Sequence, residues 1–191
     1  MLYLEDRNTL AYIIGVALGD GNLSNPNGRA VRLRITCDLK YPNLIETIKD
    51  KIGIIAPKNK IGTVKKKGSN SLDIYCYSND WPKVLEWKVG AKHSQDVRVP
   101  LWVKRNRDYK KACLRGLFQT DGSIYLDRKY KMVNYVSCID SLAKDTLNML
   151  KSLGYKPTVG IVETTRYKTK YTIRISKNVD QFLKDIDLVK N

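Results

Sequence analysis

Two aspartates, each followed by glycine, stand where chemistry is possible. Asp20-Gly21 closes the phrase Ile13-Ile14-Gly15-Val16-Ala17-Leu18-Gly19-Asp20-Gly21, and Asp121-Gly122 closes Leu114-Arg115-Gly116-Leu117-Phe118-Gln119-Thr120-Asp121-Gly122. Brought together, the two carboxylates would repel by about 4 kcal/mol at ~4 Å in an effective dielectric near 20. Such a pair shares a proton or recruits a cation. Hard oxygen donors suit Mg²⁺, which keeps several waters and takes one or two carboxylates plus phosphate oxygens. A divalent ion held there can activate water and stabilise the leaving 3′-oxygen of a phosphodiester. On spacing and charge alone a plainer reading stands beside this one, in which the acids simply end two buried helices.

The elements that must position the acids are the phrases themselves. Ala11, Gly15 and Gly19 lie along one helical stripe, and Ala112, Gly116 and Thr120 along another. Small residues four apart let two helix backbones approach closely. Packing of the two stripes brings Asp20 and Asp121 out side by side, and the glycine after each allows a sharp turn.

Asp20 and Asp121 are a step of 101 residues apart, and the same step takes Leu23 to Ile124, Cys37 to Cys138 and Gly53 to Gly154. The spacing indicates a tandem duplication with two pseudo-twofold halves. The expected division is 1–95, a connector over 96–107, and 108–191. With 35 basic and 19 acidic residues the net charge is +16, and both halves are basic, +6 up to residue 95 and +10 beyond it. This predicts a polyanionic partner, most simply nucleic acid, with a merely soluble basic surface as the alternative. No apolar run reaches ~18 residues, so no membrane span is expected. The start lacks a basic flank and apolar segment, so the expected location is intracellular and soluble, in cytoplasm or organelle matrix. Met1 offers no splicing nucleophile, so an intein is not expected. Cys37, Cys76, Cys113 and Cys138 have no CxxC spacing and read as reduced thiols, with zinc or disulfides as the alternative.

Helices are expected over 8–19, 41–52 (ended by Gly53), 80–87, 108–120, 141–153 and 180–188. Strands are expected over 30–37, 60–67, 71–77, 123–128, 131–138, 158–163 and 170–176, with a first one beginning at Asn22–Ser24. The fold class is α+β, with two α-β-β-α-β-β-α halves. Each half carries a four-stranded antiparallel sheet, and the halves join through the two motif helices. Alternation puts Val31, Leu33, Ile35 and Cys37 on one face and Arg32 and Arg34 on the other. Arg32, Arg34, Tyr75, Tyr125, Tyr135 and Arg174 are the expected base-reading residues, with Asn22, Ser24, Tyr77, Arg128 and Arg166 beside them. Lys65, Lys66, Lys67, Lys129 and Lys168 are expected to meet phosphate, although lysines at a hairpin tip can also serve to blunt a sheet edge. A strand of ~8 residues spans about eight base pairs, so two halves read a duplex of roughly 16–20 bp, pseudo-palindromic at best. His93, the only histidine, reads as a loop residue rather than a ligand or base.

The repeated phrases resemble the LAGLIDADG motif, and the chain resembles a single-chain, double-motif LAGLIDADG homing endonuclease of the kind encoded within introns. The likeness covers nearly the whole chain, because element order matches as well as both motifs. It implies that Asp20 and Asp121 bind Mg²⁺ with help from the backbone carbonyls of Gly19 and Thr120. It implies Mn²⁺ as a substitute and Ca²⁺ as an ion that binds without supporting cleavage. It implies a monomer whose two sheets form a saddle over the major groove of double-stranded DNA. One phosphodiester per strand is then hydrolysed across the minor groove. The family's basic residue near the end of the fourth strand resembles Lys177, with Ser78 at the matching first-half position. Cys37-Asp38 and Cys138-Ile139 stand where the family positions water, and no role is assigned to them. Lys92, in Gly90-Ala91-Lys92, resembles a recurrent Gly-x-Lys before the second motif, with a structural lysine as the alternative. A different class of function on the same scaffold is an RNA-splicing maturase or a non-cleaving DNA-binding protein. The retention of both acids favours the nuclease.

Overall fold

A computed structural model of the chain describes residues 2–163 and 168–188. The first half runs α1 (Arg7–Asp20), β1 (Gly21–Ser24), β2 (Arg32–Asp38), α2 (Pro42–Ile55), β3 (Ile61–Lys65), β4 (Ser71–Tyr77) and α3 (Trp81–Leu85). A single 3-10 turn (His93–Gln95) and the short α4 (Leu101–Arg105) follow. The second half runs α5 (Arg107–Asp121), β5 (Gly122–Asp127), β6 (Tyr130–Ser137), α6 (Asp140–Ser152), β7 (Thr158–Val162), β8 (Lys170–Ile175) and α7 (Val179–Asp185). Two four-stranded antiparallel sheets result, ordered β1-β2-β4-β3 and β5-β6-β8-β7. The α+β expectation and the element order hold. Arg166 lies outside the described residues.

Local chemistry sets the helix boundaries. Asp6 caps α1 by accepting from the Thr9 amide at 2.9 Å, so the helix begins at Arg7, one residue ahead of the expected start. Asn106 caps α5 by accepting from the amides of Asp108 and Tyr109. Both motif helices run through their aspartates. Gly53 does not end α2, which continues to Ile55 and buries Leu44, Ile45, Ile48, Ile52 and Ile55. Gly154, with φ +95°, does lie past the end of α6. The two glycines are therefore not equivalent, although they share the 101-residue step.

The hairpins show a second departure from that step. Gly21 pairs with Ile35, whereas Gly122 pairs with Tyr135, so the second hairpin is one residue shorter. It turns through Arg128 and Lys129, both at positive φ, the backbone of a two-residue type I′ turn. The structural counterpart of Cys37 is consequently Ser137, and Cys138 corresponds to Asp38. A shift of one residue in a strand reverses the face of every side chain after it.

The two halves share a core. Val99 and Lys104 of the connector are tied to α6 through the buried carboxylate of Asp145. The Val99 amide donates to it at 3.0 Å and the Lys104 ammonium at 2.9 Å. Among the described residues, no helix is long and apolar enough to cross a membrane.

Candidate active site

α1 and α5 touch backbone to backbone. A Cβ on Gly15 would meet the Cys113 carbonyl oxygen at 2.1 Å, and one on Gly116 would meet the Tyr12 carbonyl oxygen at 2.5 Å. Only glycine permits that approach. One turn further, a Cβ on Gly19 would meet Thr120 Oγ1 at 2.0 Å and Asp121 Oδ2 at 2.9 Å. The Asp121 carboxylate thus lies against the last turn of α1. Tyr12 Oη donates to Gln119 Oε1 at 2.7 Å, a buried bond that ties the two helices together.

Both acids lie at helix C-termini, where the helix dipole adds negative charge, and neither last turn contains a basic residue. The local field calls for a cation. Lys92 supplies one from the loop after α3. Gly90, at φ +118°, donates its amide to the Leu23 carbonyl at 3.1 Å and so brings that loop alongside β1. Lys92 Nζ then donates to the carbonyls of Ala17 at 3.0 Å, Leu18 at 2.7 Å and Gly19. Burial pushes the Lys92 ammonium down to about 8, against the upward pull of Asp121 and Asp20.

No group of three or more His, Cys, Asp or Glu side chains among the described residues could hold a metal on its own. The donors at the seam are two hard carboxylates, which fit a Mg²⁺-type ion that draws its other ligands from water and substrate. The Gly19 carbonyl, expected as a further metal ligand, accepts from Lys92 here.

The surroundings of the two acids differ. Asp121 opens on a cavity of 490 Å³ that is also lined by Gly19, Lys92, His93, Cys138 and Lys168. Asp20 opens on one of 180 Å³ lined also by Thr36, Cys37, Asp38, Tyr41 and Thr120. One side is basic, and the other has no basic lining residue. His93, read from sequence as a loop residue, lines the first cavity. The signal that could have found it is Gly90, three residues before it, whose bond to Leu23 holds this loop beside β1.

On the first sheet, pairing puts Asn22, Ser24, Arg32, Arg34, Tyr75 and Tyr77 on the outer face, as expected. Lys65 pairs with Leu72 and so leaves from the helix side of its strand, while Lys66 folds back to 3.3 Å from Asp73. On the second sheet Tyr125, Asn134 and Arg174 share the outer face. Asn134 donates to Tyr125 Oη at 3.1 Å and accepts from Arg174 Nε at 3.3 Å.

Two expected site residues are corrected. Tyr135 is fully buried and faces the helices, packed against Phe118 with ring centroids 5.4 Å apart. Its hydroxyl lies beside Thr146 and Ser137 without hydrogen-bond geometry to either. The shorter hairpin is the reason, since it turns inward a residue that an unbroken 101-residue step aligns with outward Arg34. Lys177 does not join the acids. Tyr135 pairs with both Gly122 and Ile173, so β8 passes the level of Gly122 at Ile173 and runs on away from α5, and Lys177 lies two residues beyond its end. Asp180, which follows it, is bound to Lys131 at 2.5 Å near the far end of β6.

Comparison with known proteins supplies a frame for this geometry. Residues 108–187 match the LAGLIDADG-like domain model, and residues 9–80 match the WhiA LAGLIDADG-like domain model. The solved structure of I-DmoI in complex with DNA and Mn superposes with a TM-score of 0.69 at 20% identity, covering 94% of this chain and 96% of that one. Full-length WhiA from Thermatoga maritima superposes at 0.68 and 13% identity, over 98% of this chain and 57% of that one. The ribonucleoside-diphosphate reductase NrdEB subunit alpha of Bacillus subtilis is 24% identical over 164 residues, 78% of this chain but 15% of that protein. The tRNA-splicing ligase RtcB of Pyrococcus abyssi is 32% identical over 183 residues, 85% of this chain and 19% of that protein. The chain therefore spans less than a quarter of either curated relative.

Proposed function

Since the chain belongs to the LAGLIDADG family and carries two such domains in one polypeptide, we propose that it is a site-specific, metal-dependent endonuclease acting on double-stranded DNA. The observation that carries this reading is the seam itself. Two acids from distant parts of the chain are the last residues of a glycine-packed helix pair, between two sheets with basic outer residues. The curated relatives have different activities and share with this chain only a segment of its size. That supports a self-contained module whose chemistry is independent of those activities.

In this reading Asp20 and Asp121 hold a divalent ion, Mg²⁺ or Mn²⁺, which supplies an activated water and charge stabilisation at the phosphodiester. Lys92 holds the carbonyl end of α1 in place and sets a positive charge beside both acids. Arg32, Arg34 and Tyr75 on one sheet, and Tyr125 and Arg174 on the other, face the bases of a duplex of roughly 16–20 bp. Arg128, Lys129, Lys67 and Lys168 meet phosphate and carry the salt dependence. Both motif halves lie in one chain, so a monomer suffices. We keep 1–95, 96–107 and 108–191 as the division of labour.

A second reading, a duplex-binding protein or RNA-splicing maturase that does not cut, is supported by the match of residues 9–80 to the WhiA model. Selection of cleaved sites from a randomised duplex library with Mg²⁺ separates the two. The nuclease reading expects a consensus longer than ~12 bp, cut on both strands, with no product from Asp20→Asn. A duplex that is bound but never cut assigns the chain to the second reading.

A further inference from the structure

On the outer face of the first sheet, between residues suited to contact DNA, stands an acid. Asp73 pairs with Thr36 on β2 and Val64 on β3, at the middle of the sheet. It is only 4% exposed. A buried carboxylate on a surface that meets a polyanion is unfavourable through both desolvation and repulsion. Its neighbours offset this. Thr36 Oγ1 donates to Oδ1 at 2.7 Å, Lys66 Nζ lies 3.3 Å from Oδ1, and Arg34 Nη1 lies 3.7 Å from Oδ2.

The Arg34 contact is longer than a hydrogen bond, so the guanidinium is held by charge and remains free to donate. Its Nε–H is buried and has no hydrogen-bond partner among the described residues. The planar fork of arginine recognises guanine O6 and N7 only when both donors are aimed at the base edge. A fixed anion on one side of the fork restricts that aim.

We propose that Asp73 is a specificity-setting positioning residue, which orients Arg34 toward a guanine in the major groove and is not itself a DNA contact. This rests on the duplex-binding reading above. The second half handles its own outer arginine without a carboxylate. Thr172 occupies the position of Asp73, because Ile74 pairs with Ile35 as Ile173 pairs with Tyr135. There Arg174 is held by the neutral amide of Asn134 at 3.3 Å.

The test is selection of bound duplexes from a randomised library, using the full chain and its Asp73→Asn, Arg34→Ala and Arg34→Lys variants. Thermal melts accompany the selection to show that each variant folds. All three variants are expected to lose preference at the same base pair by about tenfold, with the rest of the consensus intact. Arg34→Lys leaves Asp73 paired and removes only the fork, so it keeps the test decisive even where Asp73→Asn does not fold. Asp73→Asn binding every duplex more tightly with an unchanged preference would reduce the acid to a brake on charge and overturn the proposal. Retained preference in Arg34→Lys would overturn it as well. Failure of the unmodified chain to select any consensus would remove the duplex-binding reading together with this one.

Discussion

The two halves repeat one architecture and have diverged most on the surfaces that matter. Arg32, Arg34, Thr36 and Asp73 on the first outer face correspond in register to Met132, Asn134, Val136 and Thr172 on the second. One face is charged and cross-linked by ion pairs. The other is largely neutral, with a hydrogen-bonded chain from Tyr125 through Asn134 to Arg174. The cavities beside the acids diverge in the same way, with Lys92, His93 and Lys168 lining the one at Asp121 and no basic residue lining the one at Asp20. Backbone pairing is indifferent to what an outward side chain is, so a duplicated fold tolerates this drift. A pseudo-palindromic surface thereby becomes an asymmetric one.

The comparison breaks most severely if the acids are interchangeable with neutral residues. Asp20→Asn and Asp121→Asn are each expected to lower cutting by about a thousandfold or more, as loss of ~4 kcal/mol of charge stabilisation implies, while duplex binding persists. A strand-resolved nicking assay checks this, and full nicking in both variants would end the assignment. Lys92→Met is expected to slow cutting about a hundredfold, more on the strand served by the Asp121 cavity than on the other. Equal slowing of both strands would mean that the two cavities do the same work.

Smaller effects separate the glycines that look alike in sequence. Gly116→Ala drives a Cβ to 2.5 Å from the Tyr12 carbonyl oxygen. It is expected to cost about 3 kcal/mol, or roughly 6–12 °C in Tm for a chain of this size. Gly53→Ala adds a methyl 3.6 Å from Ile61 Cδ1 inside a helix. It should stabilise by about 0.5–1 kcal/mol and raise Tm by a few degrees. Thermal melts that moved in the same direction would contradict the placement of one of them. The smallest change tests the hairpin register. Cys138 is exposed, while Cys37 is buried and its thiol is pushed up to about 12, chiefly by that burial. Iodoacetamide should label Cys138 in the folded protein and Cys37 only after unfolding, with the modified residue read by mass spectrometry.

What could be read directly from the chain was whatever repeats locally. The small-residue stripes, the paired Asp-Gly, the alternation around Arg32 and Arg34 and the basic excess are properties of neighbouring residues and of composition. They were enough for the α+β class, the tandem halves and the close packing of the two helices that end in Asp20 and Asp121. The side on which Tyr135 falls, the distance of Lys177 from the acids and the turning of Lys66 onto Asp73 depend instead on which strand pairs with which, and in what register. A hairpin shortened by one residue leaves almost no mark in the sequence but reverses a strand's two faces. The same holds for Lys92 and His93, which are ordinary loop residues until Gly90 bonds to Leu23. Hydrophobic periodicity governs each element by itself, whereas an active site is assembled from the contacts between elements, which only the tertiary fold decides.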